Sequence, residues 1–240
     1  MPCRINKPRF DAFVAEYKKV FLEKRWPNVK NNLEDVKLFQ DNWDANAEEF
    51  AEMLKKALPQ SRSLLNGSCC LEKAGITSLA INKPDSARTL FNHLFNEAEE
   101  KGLSFRLLGF IFVMTNHLGK NHEDGRIAFH QYECITMKYL WLRYPELYYI
   151  YETRDAQEAY RLLCHGYLMR EEDNIYASDF EEFEDFYDRI SEELRKDDDI
   201  RNLLDSQLTP ECYDDPMLHT ITSDLLAFIK SDVDISCLAI

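Results

Sequence analysis

Only 7 glycines and 8 prolines interrupt a chain of 240 residues. Few positions therefore force a helix to stop, and fold class is decided by apolar residues recurring every three or four positions. Phe10, Phe13, Val14, Tyr17, Val20 and Phe21 predict a helix over 10–25, ended by Trp26-Pro27. Asn32 reads as the cap of a second, short helix holding Leu33, Val36, Leu38 and Phe39. Asp44 or Asn46 caps a third, with Phe50, Met53, Leu54 and Leu58 inward and Pro59 as the stop. Pro84 opens another, carrying Ala87, Leu90, Phe91, Leu94 and Phe95 and ended by Gly102.

The stretch 104–118 is apolar on nearly every side and predicts a central core helix. Further helices are expected over 127–144, 153–164, 197–204 and 218–230. The clearest amphipathic stripe is Phe180, Phe183, Tyr187, Ile190 and Leu194 over 178–196, where Ser178 and Glu181 form a capping box. One segment breaks the pattern. LYYIY at 147–151 is short, aromatic and β-branched and predicts a buried strand, with Ile175-Tyr176 as a second. The expected fold is mainly α, or α+β with a small sheet around 147–151. It is a compact multi-helix globular domain over 1–240, with a sub-boundary near 60–70 at the Asn66-Gly67 turn.

Charge narrows function. The formal net charge is −14, which repels phosphate backbones at long range. Hydrophobic residues at 45% exclude a disordered composition. The longest apolar run, 107–114, is too short for the ~20 residues of a membrane span. Residues 2–9 are polar and basic, unlike a secretory leader. The cysteines Cys3, Cys69, Cys70, Cys134, Cys164, Cys212 and Cys237 are odd in number, with no CxxC. They are expected as reduced thiols of a cytoplasmic protein, mostly buried. Cys237 to Ile240 fits a prenylation pattern loosely, but Asp232 and Asp234 stand where basic residues belong.

No GxGxxG, Walker lysine loop, GxSxG elbow or DxDxDG loop occurs. His122, His130, Cys134 and the Cys164-His165 pair supply zinc-type ligands without zinc-type spacing. A metal-dependent enzyme using His122, His130 and Cys134 remains one reading. The expectation is no metal, no cofactor and no catalytic residue. The carboxylates at 171–173 and 181–199 read as a solvated face. Lys18, Lys19, Lys24, Arg25 and Lys30 beside Trp26 form the credible phosphate-facing patch, ammonium and guanidinium groups for a backbone and an indole for a base.

Two segments carry a resemblance. They are FQDNWDANAEEFAEMLKKAL at 39–58 and KYLWLRYPELYYIYE at 138–152, the latter preceded by Gly119-Lys120-Asn121-His122. Together they resemble the N-terminal region of McrB-type AAA+ restriction proteins, with a weaker likeness over 203–229. The resemblance implies a non-enzymatic recognition module that binds foreign or modified DNA, or a phage component, and reports to an AAA+ motor. The motor's own nucleotide motifs are absent here, so hydrolysis does not carry over. Lys18, Lys19, Lys24, Arg25, Trp26, Lys120, His122 and Arg126 are the expected DNA contacts. The competing expectation is an acidic protein–protein interaction domain that meets a basic partner or another subunit.

Overall fold

In a computed structural model the described residues are 4–59, 64–65, 72–117, 125–164 and 179–231. They are mainly helical: α1 (Lys7–Val20), α2 (Trp26–Asn42), α3 (Phe50–Ala57), α4 (Lys73–Asn82), α5 (Pro84–Leu94), α6 (Gly102–His117), α7 (Gly125–Arg143), α8 (Thr153–Leu163), α9 (Asp179–Leu194), α10 (Asp198–Asp205) and α11 (His219–Ser231). Helix α2 joins two groups. On one side it packs on α3 and α7, and through them on α4, α5 and α6. On the other it meets α11, which lies against α1, α8 and α9.

The first helix does not end at Trp26-Pro27. A π-helical turn, Phe21–Arg25, links α1 directly to α2, with the Trp26 N–H donating to the Phe21 carbonyl. Pro27 is tolerated because it falls in the first turn of α2, where an N–H is not needed. The predicted stripe holds: Phe10, Phe13, Val14, Tyr17 and Phe21 are buried. Nor does Asn32 start a helix; it lies inside α2, buried. Gly102 opens α6 with φ of 79° instead of closing α5, which stops at Leu94. Helix α6 is not enclosed on all sides, since Phe105, Phe112 and Val113 are exposed.

Among the described residues no strand forms. Residues 147–151 run extended, with Tyr148, Tyr149 and Tyr151 buried. Their backbone is satisfied by a helix rather than a ladder. Ser223 Oγ accepts from the Ile150 N–H at 3.1 Å, and His219 Nδ1 lies 3.1 Å from the Tyr148 carbonyl. The second expected strand, the Asn66-Gly67 turn and the C-terminal cysteine lie outside the described residues. One isolated antiparallel bridge, Ile5 to Cys164, ties the N-terminal segment to the end of α8. Cys164 is disulfide-bonded, a correction to the expectation of reduced thiols throughout; its partner lies outside the described residues. Cys134 and Cys212 are free.

The buried apolar residues form one cluster with an aromatic centre. Phe91 of α5 is fully buried and lies 5.2 to 6.5 Å, centroid to centroid, from Trp43, Phe50, Phe95, Phe110 and Tyr139.

Helix α11 begins in an unusual way. Asp215 and Leu218 have φ of 47° and 56°, a left-handed conformation that costs non-glycine residues energy. It is held because the Asp215 carboxylate accepts from the N–H groups of His219, Thr220 and Ile221 at 2.9, 3.0 and 3.3 Å. Burial pushes the Asp215 carboxyl up to about 7, against the pull of those three donors. Burial pushes His219 down to about 4. These act in opposite senses. A raised carboxyl binds its proton more tightly when folded, so its contribution falls as pH rises from about 4 to 7. A depressed histidine costs stability as pH falls from 6.5 to about 4. Asp215→Asn is therefore expected to be more favourable, relative to wild type, at pH 7.5 than at pH 4.5, by on the order of 3 kcal/mol. His219→Gln should show the reverse trend. Urea melts across that pH range read both; parallel curves for variant and wild type would refute the assignment.

Candidate functional site

Helix α2 lines two concave features. The first is a cavity of about 180 Å³ between α2, α7, α8 and α11. Its wall is Asn28 and Asn32 of α2, Lys138 of α7, Ile150 and Glu152 of the extended segment, Asp155 of α8, Ser223, Asp224 and Ala227 of α11, and Leu64. The i, i+4 spacing of Asn28 and Asn32 puts both amides on one face of α2. The same spacing aligns Ser223 and Ala227.

Each carboxylate of that wall has a cation. Asp224 accepts from Arg25 Nε at 2.9 Å and Nη2 at 2.8 Å, from Tyr17 Oη at 2.8 Å and from Asn28 Nδ2 at 3.1 Å. Four donors fill the acceptor capacity of one carboxylate. Lys138 Nζ lies 2.9 Å from Glu152 Oε1, and Lys230 pairs with Asp155. Ser223 Oγ is engaged twice, accepting from Ile150 and donating to the His219 carbonyl at 2.9 Å. Asn32 is 6% exposed, and its amide has no hydrogen-bond partner among the described residues. The Tyr17 hydroxyl is held far above its ordinary range by burial and by Asp224. The cavity thus presents polar groups and balanced charge.

The second feature is a wide groove of about 730 Å³, lined by Asn31, Glu34, Asp35, Lys37, Leu38, Asp41, Pro210 and Glu211. Its one lysine is held by Asp41 at 2.6 and 2.8 Å. Lys30 stands 3.6 Å from Glu34 at the edge. Asp35 is buried and interacts with Lys73, so Glu34, Asp41 and Glu211, with Lys37 and Lys30 beside them, leave the groove mildly acidic.

Of the residues expected to touch DNA, Lys18, Lys19 and Arg25 are paired with carboxylates among the described residues. Lys18 bridges to Asp197 at 2.7 Å and Asp199 at 3.0 Å, docking α1 on the start of α10. Lys19 pairs with Glu16 at 2.6 Å. Arg25 points inward to Asp224, and Trp26 is half-buried with its ring 6.1 Å from Phe21. Lys24 is exposed. Arg126 lies in the first turn of α7, where only the backbone is described; Lys120 and His122 lie outside the described residues.

Of the zinc-type residues the side chains of Cys134 and Cys164 are described; His122 and His165 lie outside the described residues, and of His130 only the backbone is described. Burial pushes the Cys134 thiol up to about 11, and its sulfur lies 3.4 Å from Thr153 Oγ1. Cys164 is committed to its disulfide. Among the described residues no group of three or more His, Cys, Asp or Glu side chains is placed to hold a metal ion. None of the described helices is long and apolar enough to cross a membrane.

Sequence reasoning missed the cavity. Lys138 and Glu152 lay inside the segment that carries the resemblance, but nothing in spacing shows that they pair. Comparison with known proteins adds no candidate: no family model matches the chain, and no curated protein or solved structure does so either.

Proposed function

We propose that this chain is a non-enzymatic recognition module of a McrB-like antiphage system, and that its ligand is a protein surface rich in lysine and arginine. The acidic groove along α2 carries the reading. Glu34, Asp41 and Glu211 line it, and the lysine among them is already paired. A net charge of −14 would steer a basic partner toward it and speed encounter. Commitment of Lys18 and Arg25 to carboxylates weighs against the DNA form of the same reading. The segments 39–58 and 138–152 supply the system: a cytoplasmic module beside an AAA+ motor or another subunit.

The test is fluorescence anisotropy of the full chain against three probes at low and physiological salt. They are a labelled lysine- and arginine-rich peptide, unmodified duplex DNA and methylated duplex DNA. The peptide is expected to bind at both salts. The triple reversal Glu34→Lys, Asp41→Lys and Glu211→Lys should weaken it tenfold or more, through about 1.4 kcal/mol or more of lost attraction. Modification-dependent DNA binding that survives physiological salt would overturn the protein reading in favour of the DNA one. Peptide affinity unchanged by the reversal would remove the groove.

A further inference from the structure

Asn32 stands where helix propensity does not favour it. Asparagine is a poor residue for a helix interior because its side chain competes for backbone hydrogen bonds. Yet it sits mid-helix in α2, and it does not bond the turn before it. A side-chain amide without a protein partner is left to water or to a ligand. Among the described residues Asn32 has none, and it faces the cavity. Places where local rules fail without a structural return are where binding sites are found.

The rest of the wall sets the ligand's charge. Three carboxylates, Glu152, Asp155 and Asp224, are each matched by a cation, Lys138, Lys230 and Arg25. An anionic ligand would compete with three carboxylates, and a cationic one would have to break an existing pair. Either costs more than a neutral guest. What remains unused is the Asn32 amide, which donates and accepts, the Asn28 carbonyl, the further N–H groups of Lys138, and the second oxygens of Glu152 and Asp155. Donors and acceptors thus both line one space, Lys138 and Glu152 side by side. Leu64, Ile150 and Ala227 add an apolar stretch. At about 30 Å³ per water, 180 Å³ is room for roughly six water-sized groups.

We infer that this cavity is a binding site for a neutral carboxamide on a short aliphatic stem, with Asn32 as its amide-to-amide partner. The carboxamide carries a donor and an acceptor side by side, which is the complement that Asn32 presents. Its carbonyl faces Lys138 and its amino group faces Glu152 and Asp155, while the stem lies on Ile150 and Ala227. The inference does not rest on the partner reading above, because the groove is lined by other residues of α2 and by Pro210 and Glu211.

The experiment is an NMR titration of the 15N-labelled full chain, following the side-chain NH2 signal of Asn32. The probes are Nα-acetyl-glutamine methylamide, its acid counterpart Nα-acetyl-glutamate methylamide, and a short peptide with a central glutamine. The glutamine compound is expected to move the Asn32 signal saturably and the glutamate compound to leave it in place. Asn32→Leu, close in volume and free of the buried amide, should keep its circular dichroism spectrum and bind about tenfold more weakly, read on the Ile150 and Ala227 methyl signals. Equal affinity for the free amide and the peptide makes the ligand a free small molecule. Tenfold tighter binding of the peptide makes it a side chain of a partner. No saturable shift with either, or an equal shift with the glutamate compound, overturns the inference.

Discussion

Replacing Asp224 by alanine is expected to destabilise the protein by about 3–5 kcal/mol, since it removes one side of a buried charge pair and leaves the other uncompensated. Asp224 is 4% exposed, and the side chain of Arg25 is 15% exposed. Tyr17, fully buried, loses the carboxylate that accepts from its hydroxyl in the same change. With total stability of about 5–15 kcal/mol typical of a domain, the variant should melt far earlier in urea, or be partly unfolded at the outset. The pair itself need not stabilise the fold. Arg25→Met with Asp224→Leu is expected to recover most of the loss, because two apolar side chains leave no unpaired charge behind. Urea melts of the single and double variants decide this. A single variant within 1 kcal/mol of wild type would show that water reaches Arg25 freely. A double variant as weak as the single would show that the remaining donors, Tyr17 and Asn28, carry the cost.

Phe91→Ala should cost a similar amount, about 3–5 kcal/mol, by a different route. The ring fills the junction of α3, α5, α6 and α7, touching Trp43, Phe50, Phe95, Phe110 and Tyr139. No polar group is exposed when it goes; a void is. Phe91→Leu, which keeps most of the volume, should cost about half as much or less, since volume-conserving changes are tolerated. The readout is the urea midpoint together with the slope. A loss below about 1.5 kcal/mol for Phe91→Ala would mean that the five neighbouring rings collapse into the gap.

Much of the helical architecture was legible because the apolar periodicity is strong. The stripe Phe180, Phe183, Tyr187, Ile190 and Leu194 is buried throughout α9, and the stripe from Phe10 to Phe21 is buried in α1 and the turn after it. Helix α4 was not foreseen. Gly75, Ile76 and Thr77 are weak helix formers, and its apolar residues are spread around the axis, so packing on α3 and α5 decides it. The segment 147–151 misled for the reason that β-propensity usually does: aromatic and β-branched residues fit any half-buried surface, and a helix supplied the hydrogen bonds a neighbouring strand would have given. Glu181, read as part of a cap for its own helix, also accepts from the Ser104 N–H at 3.3 Å and Oγ at 2.7 Å across the fold.

The candidate cations show the limit of reading charge along a chain. Lys18 and Arg25 are seven apart, and each found a carboxylate about 180 or 200 positions away. Sequence spacing shows which side chains share a helix face but is silent on what the rest of the chain brings to that face. The cavity is invisible for the same reason. Its wall is assembled from α2, α7, α8 and α11, and the residue that marks it, Asn32, looked like punctuation.

The π-turn at Phe21–Arg25 has a consequence for tracing ancestry. Such a turn holds one residue more than the α-turn whose place it takes. A relative lacking that residue would close the α-helix and rotate all of α2 by about 100° against α1. Arg25 and Asn28 would then swing away from Asp224, and Asn32 away from its cavity. An alignment gap between Tyr17 and Asn28 would therefore mark a lineage that kept the aromatic stripe but never acquired the buried arginine, whatever its percentage identity elsewhere.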